Sequence, residues 1–333
     1  MINLLLIILS FLFLTAHAEE SIELQTLKQQ YQRPEFIPFP ADNPYSSDKA
    51  QLGKMLFFDQ RLSRHFNMTC ATCHNPSLGW EDGVPTAVGD INEALPRHSP
   101  TLLNLAWGKE FFWDGRAATL EEQVRGPVEA AVEMNMSLEE VVERLNDIEG
   151  YRLQFQKVFG EAINETNILK AIATYERTLV SGTAAFDRWV DGDEQAISEQ
   201  AKAGFQLFNG KAGCSRCHTG WNFTDNQFHD IGLNSDDLGR ALITGNPQHN
   251  YAFKTPGLRN IGQRMPYMHN GESANIDAVL AHYISGGIQR PSLSPLMQPV
   301  RLNPQELAQL KAFMITLDGE DKPVSLPILP ISR

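Results

Sequence analysis

The chain has 333 residues, 42% of them apolar, with 28 Lys and Arg against 40 Asp and Glu and a net charge of -12. The apolar share is ample for a buried core, and acidic residues spread along the chain exclude a nucleic-acid binder, which needs basic clusters. The same charge reads first as a solvated acidic surface, and more sharply as a weak docking face for a basic partner.

Met1-Ile2-Asn3 is followed by an apolar run from Leu4 to Leu14 and by Ala16-His17-Ala18 before Glu19-Glu20. An apolar stretch ending in a small-x-small site predicts a signal peptide over residues 1–18 and export to the periplasm. The missing Lys or Arg beside Met1 leaves a retained anchor as the alternative, but the run is shorter than the roughly 20 residues that span a bilayer. No later stretch is long enough, so the mature chain is expected to lack a transmembrane segment. The proline-rich stretch from Gln29 to Tyr45 predicts an extended strap.

Leu52-Gly53-Lys54-Met55-Leu56-Phe57-Phe58 has the pattern of a leading helix and precedes Cys70-Ala71-Thr72-Cys73-His74. In this motif two thiols three positions apart sit about one helical turn from each other and can add to both vinyl groups of one porphyrin, while the next histidine presents its imidazole to the iron. Further on, Ser137-x-x-Glu140 is a capping box that opens a helix with Leu138, Val141, Val142 and Leu145 on one face. Ile168, Ile172 and Tyr175 predict a helix ending near Ser181-Gly182, and the polar run Asp191 to Glu194 is a candidate junction. Ala203-Gly204-Phe205-Gln206-Leu207-Phe208 then repeats the leading helix before Cys214-Ser215-Arg216-Cys217-His218. Asn303-Pro304 starts a last helix through Leu307, Leu310 and Phe313 that is expected to stop at Asp318-Gly319, leaving Lys322 to Arg333 as a second strap.

The two motifs use all four cysteines. A disulfide pair or a zinc ribbon is the competing reading, but a ribbon would bring the pairs closer and require no histidine after each. Two covalently bound haem c groups are therefore expected. The spacing is too long for a solenoid and fits a duplicated domain. The fold expected is all-α, two cytochrome c-like haem domains with extended connecting segments, over residues 19–183 and 184–333.

With both haem motifs, Phe112-Trp113-Asp114-Gly115-Arg116, Glu122-Gln123, Gly126-Pro127, Glu133-Met134, Leu258-Arg259-Asn260 and Pro266-Tyr267-Met268-His269 in order, nearly all the mature chain resembles the bacterial dihaem cytochrome c peroxidase and MauG family. The resemblance implies one haem that reacts with hydrogen peroxide, at the N-terminal motif, and one that passes electrons. It puts Glu133 and Gln123 over the peroxide-binding iron, where heterolysis needs a proton carried from one oxygen to the other. It also puts Trp113 between the haems as an electron relay. Trp80, Trp107, Trp189 and Trp221 are read as structural.

Two departures separate this chain from ordinary dihaem peroxidases. Those carry a histidine sixteen residues after the first haem-binding His that blocks the iron until the other haem is reduced; here the count from His74 reaches Asp90. An iron that is open or water-bound at rest is expected, unless His98 swings in. They also place a methionine fourteen residues after the His of Pro-Tyr-x-His; from His269 the count reaches Tyr283, as in MauG-like enzymes. A phenolate oxygen is hard and favours higher oxidation states of iron, where a thioether favours the ferrous state. His282, adjacent to it, is the competing ligand.

Relatives hold calcium between the haems through an asparagine and main-chain carbonyls. The matching positions are His98, Arg264 and Pro266, and a neutral imidazole is a poor ligand for a hard cation, which weakens the case for calcium although waters could substitute. Three functions are then open. One is a MauG-like enzyme that uses peroxide to oxidise side chains of a partner protein, sharing oxidising equivalents between its haems. The second is a cytochrome c peroxidase fed by a small periplasmic donor. The third, a plain dihaem carrier, would leave an armed pocket idle.

Overall fold

The computed structural model describes residues 23–331, so the expected signal peptide lies outside the described residues. Helices dominate, as expected. The departure is a short antiparallel ribbon pairing Phe228–His229 with Phe253–Lys254.

Each cysteine motif belongs to a half built on one pair of packed helices. Ser47–Phe57 packs on Glu165–Arg177, and Glu199–Asn209 packs on Pro304–Ile315. In both pairs the leading helix brings a glycine to the crossing. A Cβ on Gly53 would sit 1.9 Å from the Ala171 carbonyl oxygen, and one on Gly204 would sit 2.0 Å from that of Gln309. Backbone cannot yield as a side-chain tip can, so Gly53→Ala or Gly204→Ala is expected to cost about 3 kcal/mol or more, the upper end of overpacking. Denaturant titration of the holoprotein checks this; a variant as stable as the parent would mean that the crossing has slack.

The capping logic holds at Ser137, whose hydroxyl accepts from the Glu140 amide, and at Asn303, whose side chain accepts from Glu306. Two helices end earlier than their apolar periodicity suggests. Glu165–Arg177 stops where Thr178 Oγ1 donates to the Tyr175 carbonyl, and Pro304–Ile315 stops where Thr316 Oγ1 donates to that of Phe313, each at 2.6 Å. In both, a threonine hydroxyl takes up one of the carbonyls that a helix end leaves open.

Buried apolar side chains gather in two large clusters. One draws on Leu52 through Leu179, the other on Tyr31 and on Phe186 through Leu317, so Asp191 to Glu194 is flanked on both sides by second-cluster residues. The straps cross over. Tyr31 packs in the second cluster and donates to Asn209 Oδ1 at 2.6 Å, and Lys28 meets Glu194 at 2.8 Å. In the other direction Val324 packs on the first cluster and Pro330 accepts from Arg61 Nη1 at 2.9 Å. At the seam, Arg97 bonds both Asp114 (2.6 Å) and Asp237 (2.7 Å), and Lys254 N donates to the Trp113 carbonyl at 2.8 Å. No helix among the described residues is long and apolar enough to cross a membrane.

Candidate active site

His74 and His218 are held alike. His74 Nδ1 lies 3.1 Å from the Trp80 carbonyl and His218 Nδ1 lies 3.0 Å from that of Phe223. Fixing Nδ1 as the donor leaves Nε2 with its lone pair, which is how a metal-binding imidazole is presented. Burial holds both rings below the usual histidine range, so the neutral, ligating form is favoured. The cysteines beside them are partly accessible and not joined in disulfides. This donor set fits two covalent haems. Cys217 also lies within ligand distance of Asp225 and His229, but a sulfur joined to a porphyrin is not available to another metal.

A cavity of about 600 Å³ opens over the first motif. Its wall includes Cys73, His74, Trp113, Arg116, Gln123 and Glu133, so residues scattered over sixty positions of sequence meet in one space. Gln123 stands in the first turns of the helix Leu120–Glu129, capped by Thr119. After that helix the chain doubles back: Met134 N donates to the Pro127 carbonyl and Met136 N to that of Val128. The reversal returns Glu133 to the cavity that Gln123 already lines. Burial raises the Glu133 carboxyl above the usual range, partly opposed by the Arg116 charge.

Arg116 is a site residue that the sequence reading did not single out. Its guanidinium lies 3.5 Å over the Phe112 ring. That ring in turn occupies the space a Cβ on Gly126 would need, 2.8 Å away. Glycine at 126 thus admits Phe112, and Phe112 seats the cation that acts on Glu133. Phe112 and Arg116 stand in the same short motif as Trp113, which was the only available signal. Arg259 was also missed. It lines the cavity, donates to the Trp221 carbonyl and to Asp187, and keeps its buried Nη2 without a partner. Such a leftover donor suits an anionic group such as a haem carboxylate.

Asp90 is not among the cavity-lining residues. It is buried, with Oδ2 2.8 Å from His65 Nδ1 and its amide donating to the Glu133 carbonyl at 2.9 Å. Asp90, which the count from His74 reaches, is thus tied to the segment bearing Glu133. Besides His74, the one histidine in the cavity wall is His98, and it is occupied: Nδ1 is 2.9 Å from the Val84 carbonyl and Nε2 is 3.2 Å from Glu81. Burial opposes its charge, but the Glu81 contact prevails and the pKa is raised. Trp113 stands at the seam, its indole donating to the His98 carbonyl at 2.8 Å.

Around the second motif, the adjacent candidates His282 and Tyr283 diverge. His282 Nε2 is taken by the Ile231 carbonyl at 2.8 Å. Tyr283 is half-buried; burial pushes its phenol up, and it is near enough to the sulfurs of Cys217 and Cys214 to be raised further by their charge. His269 stacks on Phe253 with ring centroids 3.6 Å apart, and burial lowers it to about 4.

The family signature "Di-haem cytochrome c peroxidase" matches residues 47–195, and that of cytochrome c matches 201–318. The chain is 51% identical to the "Methylamine utilization protein MauG" of Methylorubrum extorquens, over 95% of this chain and 91% of that protein. It is 35% identical to the "Cytochrome c551 peroxidase" of Pseudomonas aeruginosa, over 90% and 87%. A solved structure of "a MauG-like protein associated with microbial copper homeostasis" superposes with a TM-score of 0.81 at 30% identity, covering 87% of this chain and 95% of that one.

Proposed function

The chain belongs to the dihaem cytochrome c peroxidase family, and within it we propose a periplasmic, MauG-like enzyme that uses hydrogen peroxide to oxidise side chains of a partner protein. It is a haem c peroxidase-type oxidoreductase. The observation that carries the finer reading is that, among the described residues, His98 is engaged by Val84 and Glu81 and His282 by Ile231, while the Tyr283 phenol lies close to the sulfurs of the second motif. The identity to two MauG proteins, 51% and 49%, supports the same reading.

When bound, the haems supply iron that takes up peroxide and accepts and returns electrons. The chain supplies the rest. Cys70, Cys73 and His74 would hold the first haem in the domain over 19–183, and Cys214, Cys217 and His218 the second in that over 184–333, with Tyr283 as the further ligand. Glu133 takes a proton from the attacking peroxide oxygen and gives it to the leaving one, and the Gln123 carboxamide orients the pair. Trp113, hydrogen-bonded at the seam, offers an oxidisable indole between the halves.

Mixing the fully oxidised holoprotein with peroxide and no donor is the test. A long-lived state that retains both oxidising equivalents, with little oxidation of reduced cytochrome c, is expected. Fast steady oxidation of cytochrome c that appears only after the protein has been half-reduced would replace this reading with the conventional peroxidase.

A further inference from the structure

His98 is 3% exposed, and both ring nitrogens point at acceptors, the Val84 carbonyl at Nδ1 and the Glu81 carboxylate at Nε2. A neutral imidazole has one N–H and one lone pair, so it can satisfy only one of the two. The doubly protonated ring satisfies both. Asp82 lies 3.9 Å from Nδ1 and is itself held by Ser99 Oγ at 3.0 Å, while the other oxygen of Glu81 accepts from Arg264 Nη1 at 2.8 Å. Two buried cations thus face two carboxylates at the seam. Glu81, Asp82 and His98 come from the first half and Arg264 from the second.

The main chain of His98 completes the junction. Its amide donates to the His269 carbonyl at 2.7 Å, and its carbonyl accepts from the Trp113 indole at 2.8 Å. This is the place the family resemblance gives to calcium, and the donor set does not suit it. Calcium needs six to eight oxygen ligands. Here the nearby carboxylates, Glu81 and Asp82, are already engaged by His98, Arg264 and Ser99, and an added divalent ion would meet a guanidinium and an imidazolium.

We infer that the His98 imidazolium is a built-in cation that replaces calcium at the seam, joining the halves and positioning Trp113 without a bound metal. His98 is in this sense a positioning residue for Trp113.

Metal analysis of the purified holoprotein is expected to find no stoichiometric calcium, and neither EDTA nor added calcium should move its thermal midpoint or its haem spectrum. Stoichiometric calcium, or a midpoint that falls with EDTA, overturns the inference. The variant His98→Asn exchanges the cation for an oxygen ligand. Its midpoint should be lower than the parent's and should rise when calcium is added, and terbium(III) should give tryptophan-sensitised luminescence with the variant but not with the parent. A variant as stable as the parent without calcium would equally overturn it. Should His98→Asn fail to fold, the measurements on the unaltered protein still decide.

Discussion

Replacing Glu133 by glutamine is expected to slow peroxide consumption by on the order of 10²- to 10⁴-fold, the range that a positioned general acid-base group contributes, with haem content unchanged. Glutamine keeps the shape and a hydrogen-bond acceptor but cannot carry the proton between the two peroxide oxygens. To take that proton the carboxyl must first be ionised, and burial raises its pKa. Activity should therefore fall as the pH drops through this raised value, at a higher pH than an ordinary glutamate would give. Arg116 acts in the opposite sense, favouring the ionised form. Arg116→Gln should consequently move the acid limb of the pH profile upward, while leaving a working enzyme at higher pH. A Glu133→Gln protein that consumes peroxide at the parental rate would remove Glu133 from the chemistry, and an unmoved limb in Arg116→Gln would remove the electrostatic coupling.

Tyr283→Phe should alter the spectrum of the second haem alone and abolish the long-lived oxidised state, while the first reaction with peroxide survives. Phenylalanine fills the same space without an oxygen to offer the iron. Tyr283→Met separates the ligand's chemistry from its mere presence, because a thioether favours the reduced iron. Its reduction potential should rise by on the order of hundreds of millivolts, within the span that axial ligands control. Potentiometric titration of the two haems reads both effects. An unchanged second haem in Tyr283→Phe would show that the phenol is a core residue at the end of its helix, and the argument for a partner-oxidising enzyme would lose its main support.

The Tyr283 case also shows where reading a sequence runs short. Counting from His269 reached Tyr283, but His282 stood beside it and imidazole is the commoner ligand. Adjacent helical residues point about 100° apart, and which one enters the haem space depends on how the helix Ile276–Ser285 docks. Only the folded chain turns His282 to the Ile231 carbonyl. His98 is similar. Its residue type invited two readings, a blocking ligand or a replaced calcium ligand, and the acceptors that surround both nitrogens are brought there by the fold, which the letter alone does not reveal. Arg116 had only its place in the Trp113 motif as a local signal, since its effect on Glu133 passes through Phe112 and through the space that Gly126 leaves free.

The amino-acid sequence by itself determined the cofactor class, the duplication and the helix starts. Each is written locally: haem attachment needs two thiols and an imidazole within five residues, and a cap or capping box closes over three. Tertiary structure decided what depends on distant segments meeting. It brought Gln123, Glu133 and Trp113 into one cavity, crossed the two straps onto opposite cores, and set His98 between Glu81 and Asp82 in contact with a charge network that reaches Arg264 in the other half. Contacts of that kind are fixed by packing and by the need to pair every buried charge, and neither leaves a mark at a single position in the chain.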